Sequence, residues 1–446
     1  MSVVTRIAPS PTGQMHIGTV RTALFNYLYA KKFGGTYFVR IEDTDKERNR
    51  PEWTEAISKD FEWVGLIPDA TYITSDHLER HKELLHKIVA EDKAYVSREP
   101  RKDHPDETVE VVRLRNPGRS ITFTDVIRGD VTVDTSDLGD FVIARAIDDP
   151  LYHFAVVVDD GDAGVTHAIR AEEHISNTPR QILILEALGF TRPVYAHIPL
   201  ILAPDRSKLS KRKHAASIDI YREKGYLPSA ILNYLVLLGW NPGTDQEIFT
   251  LDEMIEQFSL EKVHQAGAIF NEVKLKWFNQ QYIQKLSVED FSGYVKTFLP
   301  GETYSALEGA GMLEKLIPIM RSHIQTFGEL KTMAEAGEFE FYTKTPEYKQ
   351  EMLFWKDEKD ANETRRRLTA VLALLNEVTD SDWHDVKIKE ILWPFAEKEG
   401  RGAVLWPLRV CLSGREKSPD PFQIAGIMGK DETITRIKRA ISVLGE

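Results

Sequence analysis

The sequence predicts an α/β protein whose parallel-sheet domain is split by a β-rich insert and followed by a long all-helical half. Three observations carry this expectation. Strand and helix signals alternate from Val3 to Ile41 and again from Tyr152 to Leu202; short β-rich pieces separated by turn residues fill Tyr95–Asp149; and beyond Ser217 apolar residues recur at helical spacing. The 446 residues are roughly three times the size of a typical domain, which leaves room for several cores.

Val3–Ile7 suits a buried strand, and the rigid turn Ala8-Pro9-Ser10-Pro11-Thr12-Gly13 follows it. Ile17, Val20, Leu24 and Leu28 recur at helical spacing up to the Gly34-Gly35 stop, after which Thr36–Ile41 reads as a second strand. A helix over Pro51–Gly65 opens with proline in its first turn, and one over Asp76–Asp92 opens with a capping aspartate. Within the insert, Glu110–Arg115, Ser120–Arg128 and Asp130–Asp134 read as β pieces. Alternation of strand and helix resumes with Tyr152–Val158, Thr166–Arg170, a helix over Pro179–Ala187 closed by Gly189, and the strand Ala196–Leu202. Helices over Pro228–Leu238, Leu251–Phe258, Val273–Leu286, Val288–Phe298, Arg366–Asn376 and Thr433–Leu444 complete the chain. No internal repeat or low-complexity stretch interrupts them, which argues against a solenoid.

Apolar residues at 42% and charged residues at 28% match soluble globular averages and exclude collagen-like, disordered and disulfide-stapled chains. With 57 basic and 69 acidic residues the formal net charge is −12, so any phosphate partner must be held by local basic patches. The single cysteine, Cys411, excludes an internal disulfide and a multi-cysteine zinc site and fits a reducing compartment. The N-terminus lacks a signal-peptide pattern, and apolar runs such as Ala230–Trp240 fall short of the roughly 20 residues of a membrane span. A cytoplasmic protein without membrane attachment is expected.

Two segments stand where chemistry is expected. Ser10-Pro-Thr-Gly-Gln-Met-His-Ile-Gly-Thr19 joins the first strand to the first helix, a junction whose unpaired N–H groups and positive helix end receive phosphate in open α/β sheets. Neither GxxxxGK[ST] nor GxGxxG occurs, which excludes the common phosphate-loop and dinucleotide fingerprints. Asp205-Arg-Ser-Lys-Leu-Ser-Lys-Arg-Lys213 follows the strand ending near Leu202, and its ammonium groups are placed to neutralise charge developing on a phosphate chain. Taken singly, the first segment also reads as a capped turn and the second as a solvated loop. His77 and His81 have i, i+4 spacing without HExxH and read as a solvated helix face; Asp159, Asp160 and Asp162 lack the calcium-loop pattern, so no protein metal site is expected.

Together the segments carry a resemblance. His16-Ile17-Gly18-Thr19 resembles the HIGH signature of class I aminoacyl-tRNA synthetases, and Lys208-Leu-Ser-Lys-Arg212 resembles their KMSKS signature. Arg6-Ile-Ala-Pro-Ser-Pro-Thr-Gly13, Arg40-Ile-Glu-Asp-Thr-Asp45, Tyr152-His-Phe-Ala-Val-Val-Val-Asp-Asp160 and Ile169-Arg-Ala-Glu-Glu-His174 are similar to segments of bacterial-type glutamyl-tRNA synthetases, in that family's order. The likeness continues through Leu235–Asn241, Ala268–Asn271 and Leu405–Phe422. It implies a Rossmann-like parallel-sheet catalytic domain (1–94 and 150–217), an inserted α+β acceptor-end-binding module (95–149), a helical stem-contact domain (218–299) and a helical anticodon-binding domain (300–446). The implied activity is glutamate–tRNA ligation, in which ATP converts L-glutamate to glutamyl-adenylate and the glutamyl group passes to the 3′-terminal adenosine of tRNA(Glu), releasing pyrophosphate and AMP.

By the same resemblance His16, Lys208 and Lys211 are catalytic, with Thr12, Gly18, Glu173 and Arg212 beside them around ATP. Arg6, Ala8, Ser10, Glu42, Tyr152 and Arg170 would form the glutamate pocket, the arginines taking carboxylates and Glu42 the α-ammonium. An arginine aimed at the side-chain carboxylate would reject glutamine, whose amide presents donors to a donor. Magnesium would arrive with the ATP phosphates. Zinc is not expected, because Val96–Val109 is short and lacks the cysteine cluster of some members. A monomer is implied. Arg113, Arg115, Arg119 and Arg128 in the insert, and Arg365, Arg366, Arg367, Lys430, Arg436, Lys438 and Arg439 near the C-terminus, are candidate tRNA phosphate contacts. Position 19 is threonine and position 209 leucine where the signatures have histidine and methionine, and neither change removes a phosphate-facing group. A non-catalytic tRNA-binding protein, a tRNA-modifying glutamyl transferase and a small-molecule ATP-dependent ligase are the other classes; the helical half, roughly 230 residues, argues against the last two.

Overall fold

The structure, a computed structural model, describes residues 2–45, 47–100, 106–209, 216–356, 358 and 360–445. The chain divides into two compact units, 1–282 and 283–446. In the first unit β1 (Val4–Ile7), α1 (Ile17–Lys32), β2 (Thr36–Ile41), α2 (Pro51–Val64), β3 (Ala70–Ile73) and α3 (Leu78–Ala90) come first. An insert follows, with β4 (Ala94–Pro100), β5 (Thr108–Leu114), β6 (Ser120–Asp125), β7 (Gly129–Asp134), β8 (Val142–Ala146) and β9 (Asp149–Pro150). Then α4 (Tyr152–Asp162), β10 (His167–Ala171), α5 (Thr178–Leu188), β11 (Val194–Ile198) and β12 (Ile201–Leu202) resume the alternation.

β1 pairs in parallel with β2, β2 with β3, and β10 with β11. The two groups meet at β1 and β10, where Thr166 N–H donates to the Val4 carbonyl at 3.0 Å and Val4 N–H to Thr166 Oγ1 at 2.8 Å. The spatial order is therefore β3-β2-β1-β10-β11. Strand order reverses between β1 and β10, and the crevice beyond the carboxyl ends at such a switch point is the usual ligand site of open α/β sheets. The Gly34-Gly35 stop works sterically: Gly34 has φ +59°, and a Cβ on Gly35 would lie 2.1 Å from the Val3 carbonyl oxygen.

In the insert β4, β5, β8 and β9 form an antiparallel sheet, while the β6–β7 hairpin joins the edge of β11 through Tyr195 and Asp125. Thr36–Ile41 is the expected strand, but several expectations need correction. Of the two segments that resume the alternation, Thr166–Arg170 is largely strand while Tyr152–Val158 opens a helix. The helix expected from Asp76 begins at Leu78 after a 3₁₀ turn over Thr74–His77, and Asp76 makes no capping bond. The 3₁₀ turn is instead held by Asp43, which accepts from Ser75 N–H at 2.9 Å and Ser75 Oγ at 2.6 Å. Strand Ala196–Leu202 is broken beside Pro199, which has no N–H to give a ladder. Ser120–Arg128 ends at Asp125, whose carboxylate turns back to accept the N–H groups of Ile127 and Arg128.

Helices α6 (Ile218–Glu223), α7 (Pro228–Leu237) and α8 (Leu251–Gln257), the short strand β13 (Ala268–Ile269) and helix α9 (Glu272–Lys285) follow. Beyond α9 the described residues contain helices and turns but no strand. The divide between units falls inside α9, so residues 283–299, expected with the preceding helical domain, group with the C-terminal helices. The reason is aromatic packing: Phe291, Tyr294 and Phe298 set their rings 5.2, 4.6 and 6.1 Å from that of Phe327.

Candidate active site

A cleft of about 590 Å³ opens at the β1/β10 switch point. It is lined by Arg6–Ser10 after and within β1, Arg40 and Glu42 at the end of β2, Ile169–Ala171 of β10, His16, Gly18 and Thr19 at the entry to α1, Tyr152 of α4, and Lys208 and Leu209 beyond β12. Segments far apart in sequence are thus gathered by one sheet edge.

At one end lies a buried charge network. Arg6 donates from Nε and Nη2 to the Asp160 carboxylate, each at 3.1 Å, and Arg40 reaches Asp160 with Nη1 and Glu42 Oε1 with Nη2 at 3.0 Å. Burial opposes ionised Asp160, yet Arg6 and Arg40 outweigh it and hold its carboxyl at about 2. Burial pushes Glu42 above the usual carboxylate range against the pull of Arg40. Glu42 shares that arginine with Asp160 and, at 3.7 Å, with Asp159, so it keeps electrostatic capacity for an added ammonium group. Burial, followed by Glu42, pushes the Tyr152 phenol up to about 12, which keeps its hydroxyl neutral.

Arg170 is the opposite case. It is 7% exposed and donates to His197 Nε2 at 3.1 Å, Gln181 Oε1 at 2.7 Å and Thr178 Oγ1 at 2.8 Å. None of these acceptors is a carboxylate, and among the described residues Arg170 has no ion-pair partner. Burial, reinforced by Arg6, pulls its pKa down. A buried cation without a counter-charge costs on the order of several kcal/mol, so this wall of the cleft favours an incoming anion.

At the other end, His16 caps α1: its Nδ1 accepts from Gly18 N–H at 2.9 Å, which in the neutral ring leaves the proton on Nε2 as a donor. A Cβ at position 18 would sit 3.0 Å from Nδ1, so glycine keeps this cap intact. Lys208 pairs with Glu173, both half-exposed. The backbone brings the two signatures together, because Ile17 N–H donates to the Ala216 carbonyl at 2.9 Å and Ile218 N–H to that of Met15 at 3.0 Å. One flank of the basic loop, Ala216, therefore stands beside His16, while Leu209 on the other flank lines the cleft and donates its N–H to the Ile201 carbonyl at 3.1 Å. Lys211 and Arg212 lie outside the described residues.

Arg6, Ala8, Ser10, His16, Gly18, Glu42, Tyr152, Arg170, Glu173 and Lys208 are thus brought to one cleft, whereas Thr12 is exposed and is not in its wall. Two details differ from expectation: Arg6 is already engaged by Asp160, and Glu173 by Lys208. The reading of His77 and His81 as solvated is corrected for His81, which is 1% exposed with Nε2 2.6 Å from Asp159 Oδ1, because its face of α3 packs on α4. Sequence reasoning gave no role to Arg40 or Arg21. Arg40 interrupts the buried run Tyr37–Ile41, a signal that a charge partner waits in the core. Arg21 is buried and bonds to the Leu238 carbonyl at 2.8 Å and to that of Pro199, tying α1 to the end of α7.

The candidate tRNA contacts vary in availability. Arg115 and Arg119 are about half-exposed, paired with Asp92 and Glu186; Arg113 is held by Glu99 and the Asp140 carbonyl, and Arg128 by Glu172. Arg365 is half-buried beside Asn362, Arg366 pairs with Glu363 and Glu399, and Arg367 with Glu358. Lys430 donates to the Val378 carbonyl, and Arg439 to that of Pro346. Arg436 is 3% exposed and spends its donors on the carbonyls of Phe341 and Leu412 and on Glu432, which withdraws it from any surface role.

Comparison with known proteins gives the family. Residues 2–104 and 96–277 match the family model for the catalytic domain of class I tRNA synthetases (E and Q), and residues 281–441 match that for an anticodon binding domain. This is the architecture of a class I aminoacyl-tRNA ligase. Glutamate–tRNA ligase 1 of Acidithiobacillus ferrooxidans is 38% identical over 99% of both chains, and glutamate–tRNA ligase 1 of Alkalilimnicola ehrlichii is 39% identical over 98% of both. A crystal structure of a glutamate tRNA ligase from Elizabethkingia meningosepticum in complex with its amino acid superposes with a TM-score of 0.82 at 32% identity, covering 100% of each chain. The chain belongs to the glutamate–tRNA ligase family.

Proposed function

We propose that the cleft binds glutamate at its Arg170 end and ATP at its His16–Lys208 end, and that the product is glutamyl-tRNA(Glu). The observation that carries this reading is Arg170, a buried guanidinium with no carboxylate partner among the described residues, facing the same cleft as His16 and Lys208. A glutamate carboxylate supplies the missing charge, and Glu42 receives the α-ammonium with Ser10 and Tyr152 nearby. Arg6 orients through Asp160 and keeps Nη1 for the substrate.

In the first step the α-carboxylate oxygen attacks the α-phosphorus of ATP, the bond to the bridging oxygen breaks, and pyrophosphate leaves. No covalent enzyme intermediate is needed; the chain positions reactants and stabilises phosphate charge. His16 donates from Nε2, Gly18 permits the nucleotide to approach the α1 entry, and Lys208, Lys211 and Arg212 take charge developing on pyrophosphate. Glu173 releases Lys208 as phosphate arrives and turns to the nucleotide. Magnesium would arrive with the ATP phosphates, which usually supply most of its ligands; no group of three His, Cys, Asp or Glu gathers among the described residues. In the second step the terminal ribose hydroxyl attacks the adenylate carbonyl and AMP departs. The insert, 95–149, holds the acceptor end, and the C-terminal helices receive the anticodon, with exposed Arg115, Arg119 and Arg366 and half-buried Arg365 as phosphate contacts. By the family resemblance the protein works as a monomer in the cytoplasm.

The test is glutamate-dependent pyrophosphate exchange with tRNA(Glu) present. Lys211→Ala is expected to fold normally and to slow adenylate formation severely in single-turnover assays; unchanged kinetics would remove the basic loop from the mechanism.

A further inference from the structure

We propose that Asp125 and His197 are positioning residues for Arg170, holding its guanidinium in place for a glutamate carboxylate without neutralising it. This rests on the role of Arg170 given above and adds two residues from outside the cleft wall.

His197 on β11 is the register partner of Arg170 on β10 and is fully buried. Its Nε2 lies 3.1 Å from Arg170 Nε, and its Nδ1 lies 2.6 Å from Asp125 Oδ2. Arg170 Nε can only donate, so Nε2 must carry the lone pair and the ring proton must sit on Nδ1, facing Asp125. Asp125 is fixed for this task. Its Oδ2 also accepts the backbone N–H of His197 at 3.0 Å, and its Oδ1 accepts those of Ile127 at 3.0 Å and Arg128 at 2.9 Å. A buried carboxylate thereby selects the tautomer of a neutral ring, and the ring orients the arginine.

The contrast with Arg6 shows what this indirect arrangement achieves. Arg6 meets Asp160 directly, and its charge is largely spent inside the protein. Arg170 meets the negative charge of Asp125 only through an imidazole, while Gln181 and Thr178 hold its other nitrogens as neutral acceptors. The guanidinium is oriented by three side chains yet remains in need of an anion, the condition for strong and directional carboxylate binding. Asp125 belongs to the inserted hairpin β6–β7, so the shape of the amino-acid pocket depends on a residue of the insert.

The experiment measures glutamate and ATP KM separately by pyrophosphate exchange in the full-length protein with tRNA(Glu) present. His197→Phe keeps ring volume and removes the acceptor; it is expected to raise glutamate KM by about tenfold or more while leaving ATP KM unchanged. Asp125→Asn turns an amide towards Nδ1, reverses the tautomer and should act in the same direction. His197→Gln, which restores an acceptor near the Nε2 position, should recover most of the loss. A purely structural role would lower the melting temperature in all three without separating the two KM values or giving rescue, and that outcome overturns the proposal. Arg170→Ala serves as the reference: if it leaves glutamate KM unchanged, the reading of Arg170 itself fails; if it raises KM while His197→Phe does not, only the positioning role fails. In the wild-type protein, ¹⁵N-histidine NMR should show His197 neutral and protonated on Nδ1, and a proton on Nε2 would overturn the proposal without recourse to variants.

Discussion

At the end of the cleft proposed for the amino acid Arg6 and Arg40 are buried and already matched with carboxylates, whereas at the end proposed for the phosphates Lys208 and Glu173 form a half-exposed pair. The difference suits the ligands proposed for each end. A small amino acid is recognised by fixed geometry, which a desolvated network supplies at the cost of tolerating no loss of a member. A triphosphate that must enter, react and leave as pyrophosphate is better met by exposed ammonium groups, whose surface pairings are worth about 0–1 kcal/mol and exchange readily. Arg170 stands between the two cases, buried like Arg40 but unmatched like a binding group.

The largest effect should come from breaking the matched network. Arg40→Ala leaves Asp160, Glu42 and Asp159 short of a cation and is expected to destabilise the fold by about 3 to 5 kcal/mol, read by denaturant titration. Arg170→Ala should behave differently: glutamate kcat/KM falls by about 10²- to 10³-fold, while stability stays level or rises because an unpaired buried charge has gone. A stability loss as large as that of Arg40→Ala would erase the distinction between the two arginines.

Acid should sharpen the same contrast. The Asp160 carboxyl, at about 2 in the folded protein against an ordinary 3.8, contributes stability that is fully present above about pH 4 and is lost as pH falls towards 2. The loss amounts to roughly 2 kcal/mol. It should be visible in stability measured against pH and absent from Asp160→Asn, which starts from a lower plateau. The smallest stability effect belongs to the exposed end, where Lys208→Ala should cost less than about 1 kcal/mol of folding while slowing adenylate formation. At the surface, tRNA affinity should fall linearly on a logarithmic salt scale, as counterion release requires; a flat response would remove the local basic patches from the binding account.

Much of the catalytic sheet and of the site is legible in the sequence because the information is local. Thr36–Ile41 is a run of apolar and β-forming residues ended by turn signals, and His16, Gly18 and Lys208 sit in short segments whose chemistry is recognisable. What escapes is carried by contacts between distant residues. Nothing near Arg40 announces Asp160, which is 120 residues away, nor does the sequence around Arg170 point to His197 or, beyond it, Asp125. The Phe154–Val158 run suits either strand or buried helix, and only packing of α4 against α3 and α5 decides. His81 reads as solvated because its neighbours Glu79, Arg80, Lys82 and Glu83 are charged, yet one face of α3 is enough to bury it against Asp159.

The central claim is that one cleft serves both the acidic amino acid and ATP. A non-hydrolysable glutamyl-adenylate mimic, with a sulfamoyl group in place of the phosphate, tests it directly in the pyrophosphate-exchange assay. Competitive inhibition against glutamate and also against ATP is the predicted result; competition with only one of them, or with neither, would contradict it.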